Sequence, residues 1–190
     1  MILHLFGGSF DPPHVGHLAV AKYFSTRSDL VLVSPLNISH DKSPAAPADL
    51  RLHMCELAFQ GIDRIQVSAV DIEREGITYT IDTVQDIQTA YANADIHVVI
   101  GADALSTLRE WKNFDDLSSR VTFDVVLRSG FTPSAVSNLR FNMHDISTPE
   151  VSSTTIRDVL RRPDFEPHML DELLTMQVKD FILKNRLYQA

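Results

Sequence analysis

The sequence lacks the features of secreted and membrane proteins. Its single cysteine, Cys55, excludes an internal disulfide and suits a reducing compartment. No apolar run approaches the ~20 residues that a membrane-spanning helix needs. The apolar start at residues 1–6 has no basic leader, which argues against a signal peptide. We therefore expect a cytoplasmic protein that does not bind a membrane.

Positive charge is also scarce. The chain of 190 residues has 17 Lys and Arg against 25 Asp and Glu, a formal net charge of −8. Such a chain lacks the basic face through which proteins hold nucleic acid, so nucleic acid is not an expected partner. Apolar residues make up 44% and charged residues 22%, which excludes disordered, collagenous and coiled-coil chains. The length predicts a single domain over residues 1–190.

Short apolar runs alternate with helical patterns along the chain. The runs are mostly continuous, which is typical of strands covered on both faces of a parallel sheet. The predicted strands are residues 2–6, 30–33, 65–67, 96–100, 121–127 and 142–146. Helices are predicted at residues 15–24, 152–160 and 178–187, and around residues 50–58 and 81–91. This order predicts an α/β protein with a doubly wound, mainly parallel sheet, helices on both faces, and a C-terminal helical part at about 152–190.

The segment between the first strand and the first helix is the most informative about function. Residues 7–17 read Gly-Gly-Ser-Phe-Asp-Pro-Pro-His-Val-Gly-His. Gly7 and Gly8 allow the backbone to approach a phosphate closely. His14 and His17 share one face of the first helical turn, where backbone N–H groups and the helix dipole favour an anion. The segment therefore predicts an anion site beside two imidazoles.

Other readings of this segment are less favoured. Its glycines do not follow the dinucleotide pattern G-x-G-x-x-G, and the sequence has no G-x-x-x-x-G-K-[ST]. His14 and His17 could instead bind a metal ion, but a fixed site usually needs a third protein ligand, and the sequence points to none. A metal-dependent hydrolase remains an alternative, which tightly bound zinc in the purified protein would favour.

Two motifs give the chain a family resemblance. The string ending in His-Val-Gly-His resembles the signature of the H-x-G-H nucleotidyltransferase superfamily, and residues 151–157, Val-Ser-Ser-Thr-Thr-Ile-Arg, resemble its second motif, I-S-S-T-x-I-R. Within the superfamily, nearly the whole chain is most similar to the bacterial nicotinate-nucleotide adenylyltransferases. The resemblance implies a Rossmann-like fold and transfer of AMP from ATP to nicotinate mononucleotide, forming deamido-NAD and pyrophosphate in NAD biosynthesis. It also implies Mg²⁺ on the ATP phosphates, with no metal site made by the protein.

The resemblance also implies a role for individual residues. The catalytic residues would be His14, His17 and Arg157, acting on the phosphates of ATP. The ATP-binding residues would be Gly7, Gly8, Ser9, Phe10, Lys42, Gly101, Asp103, Ser152, Ser153 and Thr154. The residues that bind the pyridine mononucleotide would be Tyr79, Thr80, Trp111 and Arg128. Hydroxyls at a helix start and a planar guanidinium suit phosphate oxygens, which agrees with these roles.

Some segments depart from the family pattern. Residues 38–42 read Ile-Ser-His-Asp-Lys where the family often has P-P-H-K, and residues 128–131 read Arg-Ser-Gly-Phe in place of R-P-G-Y. The first departure lies near the acceptor, so it affects the choice of acceptor more than the reaction class. Nicotinamide mononucleotide and pantetheine phosphate are the alternative acceptors, and a non-catalytic nucleotide-binding domain is the alternative of another class. A monomer or a homodimer is expected.

Overall fold

Six parallel strands form the centre of the protein. The structure is a computed structural model that describes residues 1–39, 43–127 and 139–189. The strands are β1 (Ile2–Gly8), β2 (Leu30–Pro35), β3 (Ile65–Val67), β4 (Asp95–Gly101), β5 (Thr122–Leu127) and β6 (Phe141–Asp145). They lie in the order β3-β2-β1-β4-β5-β6, and every neighbouring pair is parallel. The order reverses between β1 and β4, the point at which open parallel sheets bind ligands.

Helices cover both faces of this sheet, as the sequence predicts. They are α1 (Val15–Ser25), α2 (Ala48–Phe59), α3 (Val70–Glu73), α4 (Thr80–Ala90), α5 (Phe114–Arg120), α6 (Ser153–Leu160) and α7 (Met176–Lys184). Short 3-10 helices are found at Ala102–Ser106, Leu108–Glu110 and Pro167–Leu170. The α/β, doubly wound prediction is confirmed. The sequence pattern did not predict α3, α5 or the 3-10 helices, which are too short to show a clear helical period.

Side chains of each strand alternate between two apolar layers. On β2, Val31 and Val33 pack with α1, α2, α6 and α7, whereas Leu30 and Leu32 pack with α4 and α5 on the other face. Both faces are buried, so the strands read as continuous apolar runs. Complete burial of one such side chain contributes about 1.5–3 kcal/mol, and the two layers together hold the sheet.

The sequence predicts an apolar face on α2 made by Leu50, Met54, Leu57 and Ala58, and the structure buries part of it. Met54 of that face is fully buried, but Leu50 and Leu57 are only half-buried, and Arg51 and Cys55 are buried instead. Arg51 can be buried because its guanidinium donates hydrogen bonds to three backbone carbonyl groups. Burial raises the pKa of the Cys55 thiol well above its usual value, so Cys55 packs as a neutral side chain.

Two regions complete the description of the chain. The sequence also predicts loops at residues 43–47 and 129–138. Residues 43–47, with Pro44 and Pro47, lead into α2 without regular structure, and residues 129–138 lie outside the described residues. Within the described ranges, no helix is long and apolar enough to cross a membrane.

Candidate active site at the carboxyl edge of the sheet

A cleft of about 820 Å³ opens beyond the carboxyl ends of the strands. It lies at the reversal of strand order, because Gly7 and Gly8 from the end of β1 and Gly101 from the end of β4 both line it. The predicted site residues that line the cleft are Gly7, Gly8, His14, His17, Thr80, Gly101, Asp103, Trp111 and Ser152. One cavity thus contains residues from the predicted catalytic, ATP-binding and acceptor-binding sets.

His14 and His17 cap α1 with their own side chains. The Nδ1 atom of His17 accepts the backbone N–H of His14 at 3.2 Å, and the Nδ1 atom of His14 accepts the backbone N–H of His17 at 3.4 Å. The two rings stack with their centroids 3.7 Å apart. Because each Nδ1 accepts a hydrogen bond, each neutral ring carries its proton on Nε2. Local structure therefore provides two Nε2–H donors in the cleft.

Gly16 allows this pair of rings to lie close to the second motif. A Cβ atom at residue 16 would lie 3.0 Å from the ring of His14 and 3.3 Å from Cγ1 of Val151. Val151 precedes α6 and also lines the cleft. Sterics thus explain why residue 16 is a glycine, since a side chain there would push α1 away from the start of α6.

Direct hydrogen bonds join the two motifs. The Arg157 guanidinium donates to the backbone carbonyl of Asp11 at 2.6 Å and to Oγ1 of Thr154 at 3.2 Å. The Ser153 hydroxyl donates to the carbonyl of Pro12 at 2.9 Å. Its one proton is therefore used within the protein, so in this conformation Ser153 does not donate to a ligand. Arg157 lies at the junction behind the cleft rather than in its lining.

Helix α6 begins at the cleft. Ser152 is its N-cap residue, and the Ser152 hydroxyl accepts the backbone N–H of Thr155 at 3.1 Å. Ser152 and Thr155 both line the cleft. Ser152 and Ser153 both fit the residue preference of a helix cap, and the structure places Ser152 in that position. The first backbone N–H groups of α6, which have no partner within the helix, lie beside the two imidazoles and form a second source of donors for an anion.

Two of the four predicted acceptor residues line the cleft. Thr80 is the first residue of α4 and lines the cleft, as does Trp111 after the second 3-10 helix. Tyr79 caps α4 from the preceding position, and the ammonium group of Lys112 lies 4.4 Å from the centroid of its ring. Asp103, in the 3-10 helix after β4, lines the cleft between these residues and the end of the strand.

Phe10 and Ser9 lie away from the cleft lining. The Phe10 ring is 2% exposed and packs against the rings of Phe6 and His17, with centroids 5.4 and 4.9 Å away. Its side chain therefore supports His17 instead of facing a ligand. The carbonyl of Ser9 accepts a hydrogen bond from buried Arg51 at 2.8 Å. Of the remaining predicted residues, Lys42 and Arg128 lie outside the described residues.

The cleft lining also contains a buried carboxylate that sequence reasoning missed. Asp71 accepts hydrogen bonds from Ser34 at 2.7 Å, from Arg74 at 2.6 Å and from Thr83, which belongs to α4. Asp71 is 2% exposed and lines the cleft. It ties the end of β2 to the start of α4. A single aspartate before an arginine in a short helix carries no signal that predicts such a link.

Asp11, part of the first motif, connects four segments. Its carboxylate accepts the backbone N–H groups of Ala45 and Ala46 at 2.6 and 3.0 Å and the hydroxyl of Tyr188 at 2.8 Å, and lies 3.6 Å from Arg157. Burial, together with the negative charge of Asp11, raises the pKa of Tyr188 above its usual value. The loop that precedes the histidines is thus held from α6, from the segment before α2 and from the C-terminal segment.

A metal site at the two histidines receives little support. In the part of the chain that the structure describes, the group of three or more ligand-type side chains that converge is His4, His97 and Asp124, and neither cleft histidine belongs to it. Asp103 and Glu150 are carboxylates that line the cleft. They are suited to an ion that arrives with phosphates and keeps most of its water, which is how proteins usually bind magnesium.

Comparison with known proteins agrees with this geometry. The pattern of the cytidylyltransferase-like family matches residues 5–159. The nicotinate-nucleotide adenylyltransferase of Bacillus subtilis is 35% identical over 190 residues, covering 98% of this chain and 97% of that protein. A probable nicotinate-nucleotide adenylyltransferase of Bacillus licheniformis is 34% identical over 192 residues, with 98% and 97% coverage.

The chain belongs to the nicotinate-nucleotide adenylyltransferase family. Within the wider cytidylyltransferase-like group, this is the family that the two motifs suggested.

Solved structures agree on the adenylyltransferase fold. A nicotinic acid mononucleotide adenylyltransferase of Plasmodium falciparum, solved in complex with NaAD, superposes with a TM-score of 0.80 at 20% identity, covering 98% of this chain and 96% of that one. A structure described as a putative nicotinate-nucleotide adenylyltransferase, from Vibrio parahaemolyticus, gives a TM-score of 0.72 at 23% identity, with 100% and 96% coverage. The six-stranded sheet is thus the fold of known adenylyltransferases.

Proposed function

We propose that this protein transfers AMP from ATP to nicotinate mononucleotide, forming deamido-NAD and pyrophosphate in NAD biosynthesis. The observation that carries the proposal is the meeting of the stacked pair His14 and His17 with the start of α6 in one cleft. The curated relatives that cover almost the whole chain carry the name of this activity. The cleft volume of about 820 Å³ lies in the range of sites that bind ligands of nucleotide size.

The donors of the cleft fit the phosphates of ATP. The Nε2–H groups of His14 and His17 would donate to the α- and β-phosphate oxygens, and the backbone N–H groups at the start of α6 would hold the outer phosphates. Gly7 and Gly8 would let the β1 backbone lie against the nucleotide. Arg157 has five N–H groups, and its bonds to Asp11 and Thr154 use two of them, so the guanidinium retains capacity for phosphate oxygens.

The transfer step needs no general base. An oxygen of the acceptor's phosphate attacks the α-phosphorus of ATP, the bond from that phosphorus to the bridging oxygen of the β-phosphate breaks, and the electron pair leaves with pyrophosphate. The attacking phosphate is already an anion, so no proton has to be removed. Catalysis then consists of aligning the two phosphates and stabilising charge on the phosphorus and the leaving group. Paired, fixed imidazole donors suit that task.

The acceptor would bind at the wall made by Thr80 and Trp111. The π-face of Trp111 suits the electron-poor pyridine ring. Thr80 opens α4, and backbone N–H groups at a helix start favour a carboxylate over a neutral amide. This preference selects nicotinate mononucleotide rather than nicotinamide mononucleotide. We also propose Tyr79 as a neighbour of the bound ring, and Asp103 as the acceptor of a ribose hydroxyl proton of ATP.

Magnesium is the metal that we expect with ATP. When bound to the triphosphate, Mg²⁺ would supply shielding of its negative charge. The cleft carboxylate Glu150 is the residue that would hold it, directly or through its waters.

The deciding experiment is product identification with each acceptor. Purified protein is incubated with MgATP and nicotinate mononucleotide, nicotinamide mononucleotide or pantetheine phosphate, and dinucleotide and pyrophosphate are quantified. We expect deamido-NAD and pyrophosphate in equal amounts, with kcat/KM for nicotinate mononucleotide at least ~10-fold above that for the amide, which corresponds to about 1.4 kcal/mol. A preference for the amide would reject the acceptor assignment, and binding of ATP without turnover of any acceptor would reject the reaction.

A further inference from the structure

A buried group of imidazoles surrounds one carboxylate beneath α1, outside the cleft lining. It consists of His4 on β1, His97 on β4, Asp124 on β5 and His144 on β6, and we call it the His–Asp cluster. Oδ2 of Asp124 lies 2.9 Å from Nε2 of His4 and 2.7 Å from Nδ1 of His97. Its other oxygen lies 2.8 Å from Nε2 of His144 and 2.8 Å from Nδ2 of Asn142.

The strands hold these side chains in place. His4 pairs directly with His97 across β1 and β4, and Val99 pairs with Asp124 across β4 and β5. Residues 97 and 99 point to the same face of the sheet, so the side chain of Asp124 lies diagonally across from His97. The cluster is therefore preorganised by four strands that are neighbours in the sheet. All four of its residues belong to strands, and none belongs to a loop.

We propose that His4, His97 and Asp124 bind one transition-metal dication of the zinc class, through Nε2, Nδ1 and Oδ2. The three ligand atoms lie within 4.8 Å of one another, so movements of the side chains alone can bring them to a common ion. Two imidazole nitrogens and one carboxylate oxygen form a donor set that zinc accepts, with a fourth position for water. The chemistry excludes Ca²⁺ and Mg²⁺, which prefer all-oxygen sites.

Charge and burial favour an ion at this position. The Asp124 side chain is 2% exposed, and a buried carboxylate is costly unless a positive charge lies beside it. Imidazole nitrogens of His4 and His97 already lie 2.9 and 2.7 Å from Oδ2 of this carboxylate, so an ion held by the three side chains would place its charge directly beside Asp124.

The outer contacts are those of a metal site. His97 would bind through Nδ1 while its Nε2 lies 3.5 Å from Oδ2 of Asp95, the carboxylate–histidine–metal arrangement. Nδ1 of His4 is buried and has no hydrogen-bond partner among the described residues. In the metal-free cluster Nε2 of His4 contacts Asp124 at 2.9 Å, so binding of the ion would replace this contact and move the ring proton to Nδ1. The 15% exposed side chain of His97 provides the route of entry.

Metal titration of the folded protein tests the site. Protein is freed of metal with a chelator and titrated with Co²⁺, whose visible absorption reports its coordination, and Zn²⁺ is then added as a competitor. We expect one Co²⁺ per chain with the spectrum of a four-coordinate site, displacement by one equivalent of Zn²⁺, and a higher melting temperature with Zn²⁺. Absence of stoichiometric binding in the wild-type protein would overturn the proposal.

Matched variants locate the ion. Asp124→Asn and His97→Gln should each lower Zn²⁺ affinity by more than ~100-fold. His144→Gln, which removes a contact of the ligand Asp124 and a hydrogen bond to Tyr23, should lower it by ~10–100-fold. His53→Gln and His168→Gln are the controls, because each of these histidines is exposed and lies 3.2 Å from a glutamate. Where Asp124→Asn does not fold, the partly exposed His97→Gln supplies the same test. Binding that survives both cluster variants, or that is lost only with His17→Asn, would show that the cluster is a hydrogen-bonded network without a metal.

Discussion

His14 and His17 each use Nδ1 to accept the other's backbone N–H, and their rings stack 3.7 Å apart. The Nδ1 atom of each ring thus stabilises the start of the helix, and Nε2 is the atom that we propose acts on the phosphates of ATP. In this proposal the two nitrogens of each imidazole have separate tasks, one structural and one chemical. Substitutions that imitate only one nitrogen can separate them.

His17→Asn and His17→Gln form such a pair. The asparagine oxygen can replace Nδ1 as the acceptor for the His14 amide, so we expect almost unchanged stability but a kcat lower by ~10²–10³, because the Nε2–H donor is lost. The glutamine amide reaches the position of Nε2 and should retain more activity, while loss of the cap costs about 1 kcal/mol of unfolding free energy. Denaturant unfolding and steady-state kinetics measure both. If one of the two variants were better than the other in both stability and kcat, the proposed separate tasks of Nδ1 and Nε2 would be contradicted.

Gly16→Ala and Gly7→Ala test two different reasons for glycine. A Cβ atom at residue 16 lies 3.0 Å from the His14 ring, whereas one at residue 7 has its nearest protein neighbour 4.0 Å away, at the carbonyl of Ser34. Gly16→Ala should lower the unfolding free energy by about 1–3 kcal/mol despite the better helix propensity of alanine. Gly7→Ala should fold normally and raise KM for ATP, since its methyl group enters the cleft. Normal ATP binding in Gly7→Ala would remove Gly7 from the nucleotide site.

Tyr188→Phe tests the link between the C-terminal segment and the first motif. Loss of a hydrogen bond to the Asp11 carboxylate should cost about 1.5–3 kcal/mol. The raised pKa of Tyr188 also predicts an effect at high pH. Above pH ~10 the unfolded chain loses this proton and the folded chain keeps it, so stability falls as pH rises. The unfolding free energy of both proteins is measured from about pH 8 to about pH 11. It should fall more steeply with pH for the wild type than for Tyr188→Phe, and parallel curves would contradict the raised pKa of Tyr188.

Asp71→Asn and Asp86→Asn share the same partner, Arg74. Asp71 is buried and also holds Ser34 and Thr83, while the Asp86 side chain is 43% exposed and contacts Arg74 at 2.8 Å. We expect Asp71→Asn to cost about 1–3 kcal/mol and to raise KM for the acceptor, because the start of α4 loses its attachment to β2. Asp86→Asn should cost less than about 1 kcal/mol, since exposed ion pairs contribute little. Equal effects would mean that Asp71 has no special role in the cleft.

The fold follows from patterns that the sequence displays openly. Continuous apolar runs such as β2 predict buried parallel strands, and the motif beginning at Gly7 predicts the phosphate side of the cleft, because neighbouring residues make those features. The buried polar contacts are different. Arg51 finds its three carbonyl partners, and Asp124 its imidazoles, only after strands and helices from distant parts of the chain come together. The spacing of residues along the chain does not encode which strands become neighbours, so these partners could not be predicted.

Trp111 is the residue that we propose stacks on the pyridine ring of the acceptor. It lines the cleft together with Thr80, and stacking on a pyridine ring requires its aromatic face. Trp111→Ala should raise KM for nicotinate mononucleotide by ~10–100-fold, which corresponds to about 1.4–2.8 kcal/mol, with KM for ATP nearly unchanged. Trp111→Phe keeps a smaller aromatic ring, so its KM for nicotinate mononucleotide should lie between those of the wild type and Trp111→Ala. Both constants are measured with the second substrate saturating. An equal rise in both KM values would show that Trp111 maintains the shape of the whole cleft instead of binding the acceptor.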